Sequence, residues 1–407
     1  MSYFQFLREN ARWLSAGLLM TFFSIYGQTT FISLSAGDIR SEYGLSHGEF
    51  GSLYMAATLA SALTLPRLGQ IVDRYSVAKV AMLVIPMLAI ATVVMAVSHQ
   101  VVVLLIALYL LRLFGQGMMV HTAYTGAARW FSAQRGRALS VVILGHNAGD
   151  AVMPIVFVTL AGLVGWRNGW LLAMATLLCM ALPLTTWLAA VNRTPRKSDP
   201  TPRHIDARDW TRAEVIRDPY FYFLLLAVMA PSFIVTVIFF NQVYLVQLRG
   251  WSMEAFAASF AVSAFVNSGF TLLSGQLIDR FSGVSLLPIV LLPLGAACVL
   301  LGMVEGQWGA FAFMAMIGVS NGLSTTLFGA VWPEVYGLKN LGSIRALIVS
   351  FSVLGSALGP GLTGYLIDQN VSYPGQIVAM GVYCVAISLL MLHVSRVLAR
   401  RVQTAAG

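Results

Sequence analysis

The sequence predicts an all-α membrane protein, with twelve transmembrane helices in two pseudo-symmetric six-helix bundles. Three observations predict it. The first is composition: 58% of the 407 residues are hydrophobic and only 10% charged, with a mean hydropathy of +0.78. Soluble domains carry about 25% charged residues, so this chain has too few to cover a water-facing surface. The second is a series of long runs almost free of charge, each able to cross roughly 30 Å of hydrocarbon as a helix. The third is a polar octet written twice between apolar runs, GQIVDRYS from Gly69 and GQLIDRFS from Gly275.

The runs fall at 14–36, 50–68, 77–97, 101–127, 138–162, 168–191, 221–246, 256–277, 285–304, 308–331, 344–367 and 375–394. Backbone polar groups in lipid must be satisfied internally, which makes these runs helices. The alternating ten-residue segments of a membrane barrel are not seen. The first run is too long for the apolar core of a signal peptide, and no small-residue cleavage site leads into a soluble domain. Placing the N-terminus in the cytoplasm puts twenty-one of the 25 Lys and Arg inside and only Arg40, Arg167 and Arg249 outside. This asymmetry predicts a multi-pass protein of the cell inner membrane with both termini cytoplasmic. It also accounts for the net charge of +9, which suits an anionic cytoplasmic leaflet. No basic soluble domain exists to bind nucleic acid.

One long polar stretch divides the chain. The expected organisation is an N-terminal bundle at 1–191, a cytoplasmic linker at 192–218 and a C-terminal bundle at 219–407. Proline and charge loosen the first part of the linker. Its end can form a surface helix with Trp210 and Ile216 toward lipid, or act as a plain solvated tether. The repeated octets follow the second and eighth helices. Gly69 and Gly275 are each expected to end a helix at a tight turn. A third copy, GYLIDQ with Gly364 and Asp368, follows the eleventh helix, and a weaker GLVGWR follows the fifth. Each place ends the second member of a three-helix unit, so the chain reads as four such units. Repeats of this kind build two alternating states around a central site.

With these motifs in hand, the sequence resembles the major facilitator superfamily along essentially its whole length, and more weakly its monocarboxylate-type porters. The resemblance implies a secondary active transporter working by alternating access. Gly69, Asp73, Arg74 and Lys79 match the family's signature between helices 2 and 3. Asp279 and Arg280 match its copy between helices 8 and 9. In the family this loop locks the cytoplasmic side, which implies a gate in which Asp73 meets the N-terminus of helix 11 or Arg137. Val77 and Ala78 depart from the pattern and imply a weaker lock. The family is usually monomeric.

Two charges sit deep in the spans. Arg112, in RLFGQGMMVHTAY, lies about eleven residues into its span, roughly 16 Å deep at 1.5 Å per residue. A lone arginine there needs a partner or a wet cavity. Asp150, in SVVILGHNAGDAVMP, lies at similar depth in the next helix. The two can meet, either as a structural ion pair or as a switch that opens when a proton or anion arrives. His146 shares the helical face of Asp150, while His121 faces roughly away from Arg112. Either histidine can relay protons or simply be a hydrogen-bonded structural residue. Gly145, Gly149 and Pro154 lie along the fifth helix, and bending is expected at Gly149 and Pro154.

By resemblance, helices 1, 4, 7 and 10 line the cavity. They offer Tyr26, Gln28 and Thr29, then Arg112, then Asn241, Gln242 and Tyr244, then Asn321, Ser324 and Thr325, with Phe239, Phe240 and Phe328 as an apolar wall. The competing role for each polar residue is glue between helices. Tyr, Gln, Asn and one Arg suit a small polar solute with one negative charge. The expectation is proton-coupled transport of a small organic anion such as a monocarboxylate. The alternative is a proton-driven exporter of drug-like or amphipathic metabolites. No nucleotide loop, nucleophile elbow or metal-ligand spacing appears, so neither an enzyme nor a cofactor is expected. Cys179, Cys298 and Cys384 lie in apolar spans and imply no disulfide.

Overall fold

The computed structural model describes residues 3–131, 135–191, 193, 209–337 and 340–406. The described chain is helical. It divides into two compact units, one of Met1–Ser46 and Ser52–Pro202, the other of His47–Gly51 and Arg203–Gly407. Most of the linker lies outside the described residues.

In the first unit, α1 (Tyr3–Phe23) leads through a tight 3-10 turn, Ser24–Gly27, to the short helix α2 (Thr29–Ile32) and then to α3 (Ala36–Tyr43). α4 (His47–Leu68) is followed by the one-turn α5 (Ile71–Arg74) and by α6 (Val77–Val97). Ser76 starts α6 by accepting the Lys79 N–H, the N-cap arrangement that satisfies an orphan donor. α7 (Val101–Leu110) and α8 (Val120–Trp130) are joined without a break by a π-helical stretch, Leu111–Met119. α9 (Arg135–Val164) is continuous through Pro154. α10 (Trp166–Thr176) and α11 (Leu182–Ala189) form one rod interrupted by a π turn.

The second unit begins its chain-contiguous part with α12 (Arg212–Arg217), opened by a reciprocal capping box between Thr211 and Glu214. α13 (Pro219–Phe240) is capped by Asp218 with Pro219 in its first turn, and α14 (Gln242–Arg249) continues it past a break at Asn241. α15 (Met253–Phe281), α16 (Gly283–Leu286), α17 (Leu292–Met303), α18 (Trp308–Tyr336), α19 (Leu341–Asp368) and α20 (Tyr373–Ala406) follow. Within this unit, Asp368 at the end of α19 accepts the N–H groups of His47 and Gly48.

Ten helices among the described residues are long and apolar enough to cross a membrane. The chain is therefore a multi-pass, all-α membrane protein. Residues 14–36 and 50–68, expected as the first two spans, lie in α1 to α3 and in α4, which fall outside that set. The first is broken at Gln28, and α4 carries His47, Glu49, Pro66 and Arg67.

Two local expectations are corrected. Gly275 does not end a helix; α15 runs through it to Phe281, and Ser282 makes the turn at φ 68°. Trp210 does not face lipid. Its N–H donates to the Tyr336 carbonyl, and its ring packs edge-on against Tyr336 at 5.5 Å. The linker end is held there because Asp218, almost fully buried, accepts from the Tyr220 N–H, the Tyr336 hydroxyl and Arg401. Gly145 and Gly149 also mark close packing. A Cβ at Gly145 would strike the Leu18 carbonyl, and one at Gly149 would lie 2.7 Å from the Phe22 carbonyl. α1 and α9 therefore meet backbone to backbone, as small residues four apart allow. Thr21 donates across the same seam to the Val142 carbonyl at 2.5 Å.

Gly149→Val is expected to destabilise the purified protein by about 1–3 kcal/mol, the usual cost of overpacking. Gly162→Val, where a Cβ meets open space, serves as the control in a thermal melt. A second test concerns Glu42, whose carboxylate takes the Arg167 guanidinium at 2.5 Å. Hydrogen bonds from Arg167 hold the Glu42 pKa below the usual carboxylate value. Its contribution is therefore present above the unfolded value, about 4.3, and lost as pH falls through the lower folded value. Glu42→Gln is expected to melt slightly below the wild type at pH 7 and to match it at pH 3. The pair is part-exposed, so the gap stays small.

Candidate functional site

The site is built on the break in the first helix. After Phe23 the chain tightens into a 3-10 turn, and Gln28 is extended at φ −82°, ψ 151° before α2 begins. A break in a membrane-depth helix frees backbone carbonyls that must be satisfied by the surrounding protein. Here Arg112 supplies the donor: its Nη1 lies 3.3 Å from the Gly27 carbonyl oxygen and 3.3 Å from the Thr29 hydroxyl.

Two glycines make this approach possible. A Cβ on Gly27 would strike the Leu111 carbonyl and lie 2.6 Å from the Gly115 Cα. A Cβ on Gly115 would lie 2.6 Å from the Gly27 Cα. The two backbones touch, and side chains at either position would push Arg112 off its carbonyl. The π-helical register of Leu111–Met119 carries Arg112 and Gly115 together, and such insertions recur at functional sites.

Arg112 is 2% exposed. Its guanidinium sits 5.2 Å from the centroid of the Tyr54 ring, a cation–π distance. The Tyr54 hydroxyl in turn is 2.7 Å from the Thr29 hydroxyl. The Nε of Arg112 has no hydrogen-bond partner.

The expected meeting of Arg112 with Asp150 is corrected: they form no ion pair. Asp150 accepts instead from the Thr30 hydroxyl at 3.1 Å and lies 3.5 Å from His146 Nε2, one turn away on α9. The reason is α2. Depth along two neighbouring helices makes the charges level, but α2 stands between them, with Thr29 bonded to Arg112 and Thr30 bonded to Asp150.

The other sequence candidates spread out. Tyr26 is buried with its hydroxyl spent on Thr176 at 2.7 Å, and its ring is packed edge-on against Phe31. Gln28 is buried at the break. His121, on α8, packs beside the turn after α4, where a Cβ on Gly69 would sit 3.2 Å from its Nε2. The structure thus places His121 at the gate motif rather than beside Asp150. In the second unit, Asn241 spans its own helix break, donating to the Val237 carbonyl at 3.1 Å and the Thr363 hydroxyl at 3.3 Å. Gln242 is fully buried. Tyr244 lies with its ring centroid 5.7 Å from that of Tyr373. Asn321 is half-buried on α18.

At the gate motifs, Gly69 closes the last turn of α4 with its N–H on the Leu65 carbonyl. Arg74, Arg137 and Arg280 are exposed. The side chains of Asp73 and Asp279 lie outside the described residues. Sequence reasoning missed Arg129, which donates to the Val72 carbonyl at 2.6 Å and ties α8 to α5. It also missed Thr30 and Tyr54. The doublet Thr29–Thr30 directly after Gly27–Gln28 was the available signal: hydroxyls beside a helix-breaking glycine. Among the described residues no cluster of three or more His, Cys, Asp or Glu could hold a metal ion.

Comparison with known proteins follows the same lines. The human monocarboxylate transporter 11 is 26% identical over 318 residues, covering 74% of this chain and 65% of that protein. The match thus spans less than two thirds of the relative's own length. The hexuronate transporter of Bacillus subtilis (strain 168) is 22% identical over 393 residues, covering 91% of each chain. Among solved structures, a bacterial homologue of the human lysosomal transporter Spinster, inward-facing and unoccupied, superposes with a TM-score of 0.74. It covers 96% of this chain and 98% of its own at 19% identity, a likeness of fold. The profile of the Major Facilitator Superfamily matches residues 17–360. The chain belongs to the Major Facilitator Superfamily, and it is a secondary transporter of small molecules rather than an enzyme.

Proposed function

We propose that this transporter moves a small organic anion together with a proton, with Arg112 as the anion's counter-charge and Asp150 with His146 as the proton site. One observation carries the reading. Arg112 is a buried cation that, among the described residues, no carboxylate neutralises, and its Nε is unspent. An uncompensated charge at membrane depth is costly and marks a functional site by default. A planar guanidinium with a free N–H edge suits a carboxylate, which can take two donors at once. The names of the monocarboxylate and hexuronate transporters point to the same chemical class of solute.

The coupling runs through α2. Thr29 holds Arg112 and Thr30 holds Asp150, so a change at one charge is felt at the other through a single turn of helix. Protonation of Asp150 removes the negative charge that strengthens its hydrogen bond from Thr30. An anion at Arg112 competes with Thr29 and the Gly27 carbonyl for the guanidinium. Either event loosens the break, and both together favour a rearranged first helix. In this reading residues 14–36 and 50–68 complete a twelve-span arrangement of two six-helix bundles. Gly69, Asp73, Arg74, Arg137, Asp279 and Arg280 form its cytoplasmic gates, and both termini are cytoplasmic.

A second reading shares the machinery. Asp150 has no arginine partner, so its carboxylate is also open to a cationic or amphipathic metabolite, as a proton-driven exporter requires.

Flux in proteoliposomes separates the two. Lactate and glucuronate, probed at pH 5.5 and 7.5, are expected to be taken up faster at the lower pH. Arg112→Lys should lower kcat/KM for the anion about tenfold or more, since a bidentate charged contact is lost, while the protein still folds. Unchanged affinity in that variant would remove Arg112 from the site. Asp150→Asn should flatten the pH dependence and leave the melt little changed. Proton-driven flux of a lipophilic cation, with no carboxylate transported, would establish the exporter instead.

A further inference from the structure

The second unit contains a cavity of about 620 Å³ between α13, α19 and α20, within the size range of small-molecule sites. It plays no part in the transport reading and is argued independently of it. Its walls are almost wholly apolar. Met229, Phe233 and Ile234 line it from α13, and Met380 from α20. Its rim is apolar and exposed: Leu226 is 40% exposed, Leu362 52% and Val371 44%. Leu226 and Leu362 lie on spans long and apolar enough to cross the bilayer, and Val371 lies in the turn between α19 and α20. The opening therefore faces hydrocarbon rather than an aqueous path.

One feature of the wall is not apolar. Gln376 lines the cavity one turn into α20 and is 7% exposed. Its Nε2 donates to the Val371 carbonyl at 3.0 Å, but its Oε1 has no donor. The other polar groups along the wall are spent: the Tyr383 hydroxyl donates to the Leu226 carbonyl, and the Thr363 hydroxyl donates to the Gly359 carbonyl while accepting from Asn241. A buried acceptor left unpaired is costly, since its lost hydration is not replaced. A ligand bringing an N–H or O–H to that end recovers it.

The cavity also has a direction. Gln376 stands beside the α19–α20 turn, where the chain passes through Gln369, Asn370 and Ser372. Tyr383 lies seven residues deeper along α20, roughly 10 Å at 1.5 Å per residue. The polar mouth is at a membrane boundary and the apolar depth points inward, the polarity of a lipid.

We propose that this cavity holds one acyl chain of a bilayer phospholipid whose headgroup carries an N–H donor, with Gln376 Oε1 as its acceptor. The full-length protein, purified in detergent, would be offered phosphatidylethanolamine or phosphatidylcholine of identical chains. The two are matched in net charge, but only the first donates from nitrogen. Native mass spectrometry reads the lipid retained, and thermal melting gives a second measure. The wild type is expected to retain phosphatidylethanolamine about tenfold over phosphatidylcholine, the ratio that one hydrogen bond near 1.4 kcal/mol supplies. Gln376→Leu should equalise the two lipids. Ala379→Phe, or Leu362→Trp from the facing wall, should lower retention of both by filling the cavity. Equal retention by the wild type would overturn the acceptor role of Gln376. Unchanged retention in both filling variants would overturn the cavity as the site.

Discussion

The first unit turns on a single contact, the Arg112 guanidinium against the carbonyl that the broken first helix leaves at Gly27. Everything near it follows from keeping that contact in place. The helix must break at Gln28, or the carbonyl would be spent within the helix. Gly27 and Gly115 must lack side chains, or the backbones could not touch. The rod of α7 and α8 must take a π-helical turn, which sets Arg112 and Gly115 in their register. Tyr54 then closes over the guanidinium and holds Thr29. Each requirement is a local departure from a regular helix, and each has a partner that offsets its cost.

The second unit solves the same problem differently. Its first long helix also breaks, at Asn241. There the Val237 carbonyl accepts from the side-chain amide of Asn241 and from the Tyr373 hydroxyl, and Thr363 accepts from the same amide. No charge is needed. The two halves thus share a broken first helix while only one commits a cation to it. A neutral amide satisfies a break at little electrostatic cost, so stability alone does not call for an arginine at the other. That difference is the physical argument for a charge-dependent function on the N-terminal side.

Much of the architecture was legible because bilayer physics writes it in composition. The span 77–97 coincides with α6 residue for residue, and the long apolar runs are helices. Glycine was read less well, since one residue type serves several ends. Gly69 follows the end of a helix; Gly275 sits inside one; Gly145 and Gly149 let two helices touch. Nothing in the octets distinguishes the first two cases, because what differs is the neighbour: His121 crowds Gly69, whereas a Cβ on Gly275 would meet open space. The linker end was misread for a similar reason. Trp210 has the composition of a lipid anchor, yet its partners Tyr336 and Arg401 lie more than a hundred residues away.

The misreading of Arg112 and Asp150 is the more instructive one. Helical rise gives the depth of a residue, and adjacency of helices gives its neighbourhood, but neither reports an element interposed between the two. α2 is four residues long and gives no periodic signal of its own. Its two threonines convert what would have been one neutral pair into two separate sites sharing a support. A directly paired arginine and aspartate would bind each other, and a solute or proton would first have to part them. Held apart on Thr29 and Thr30, each keeps its own chemistry. In the proposed coupling, the shared turn of helix lets the occupancy of one bear on the geometry of the other.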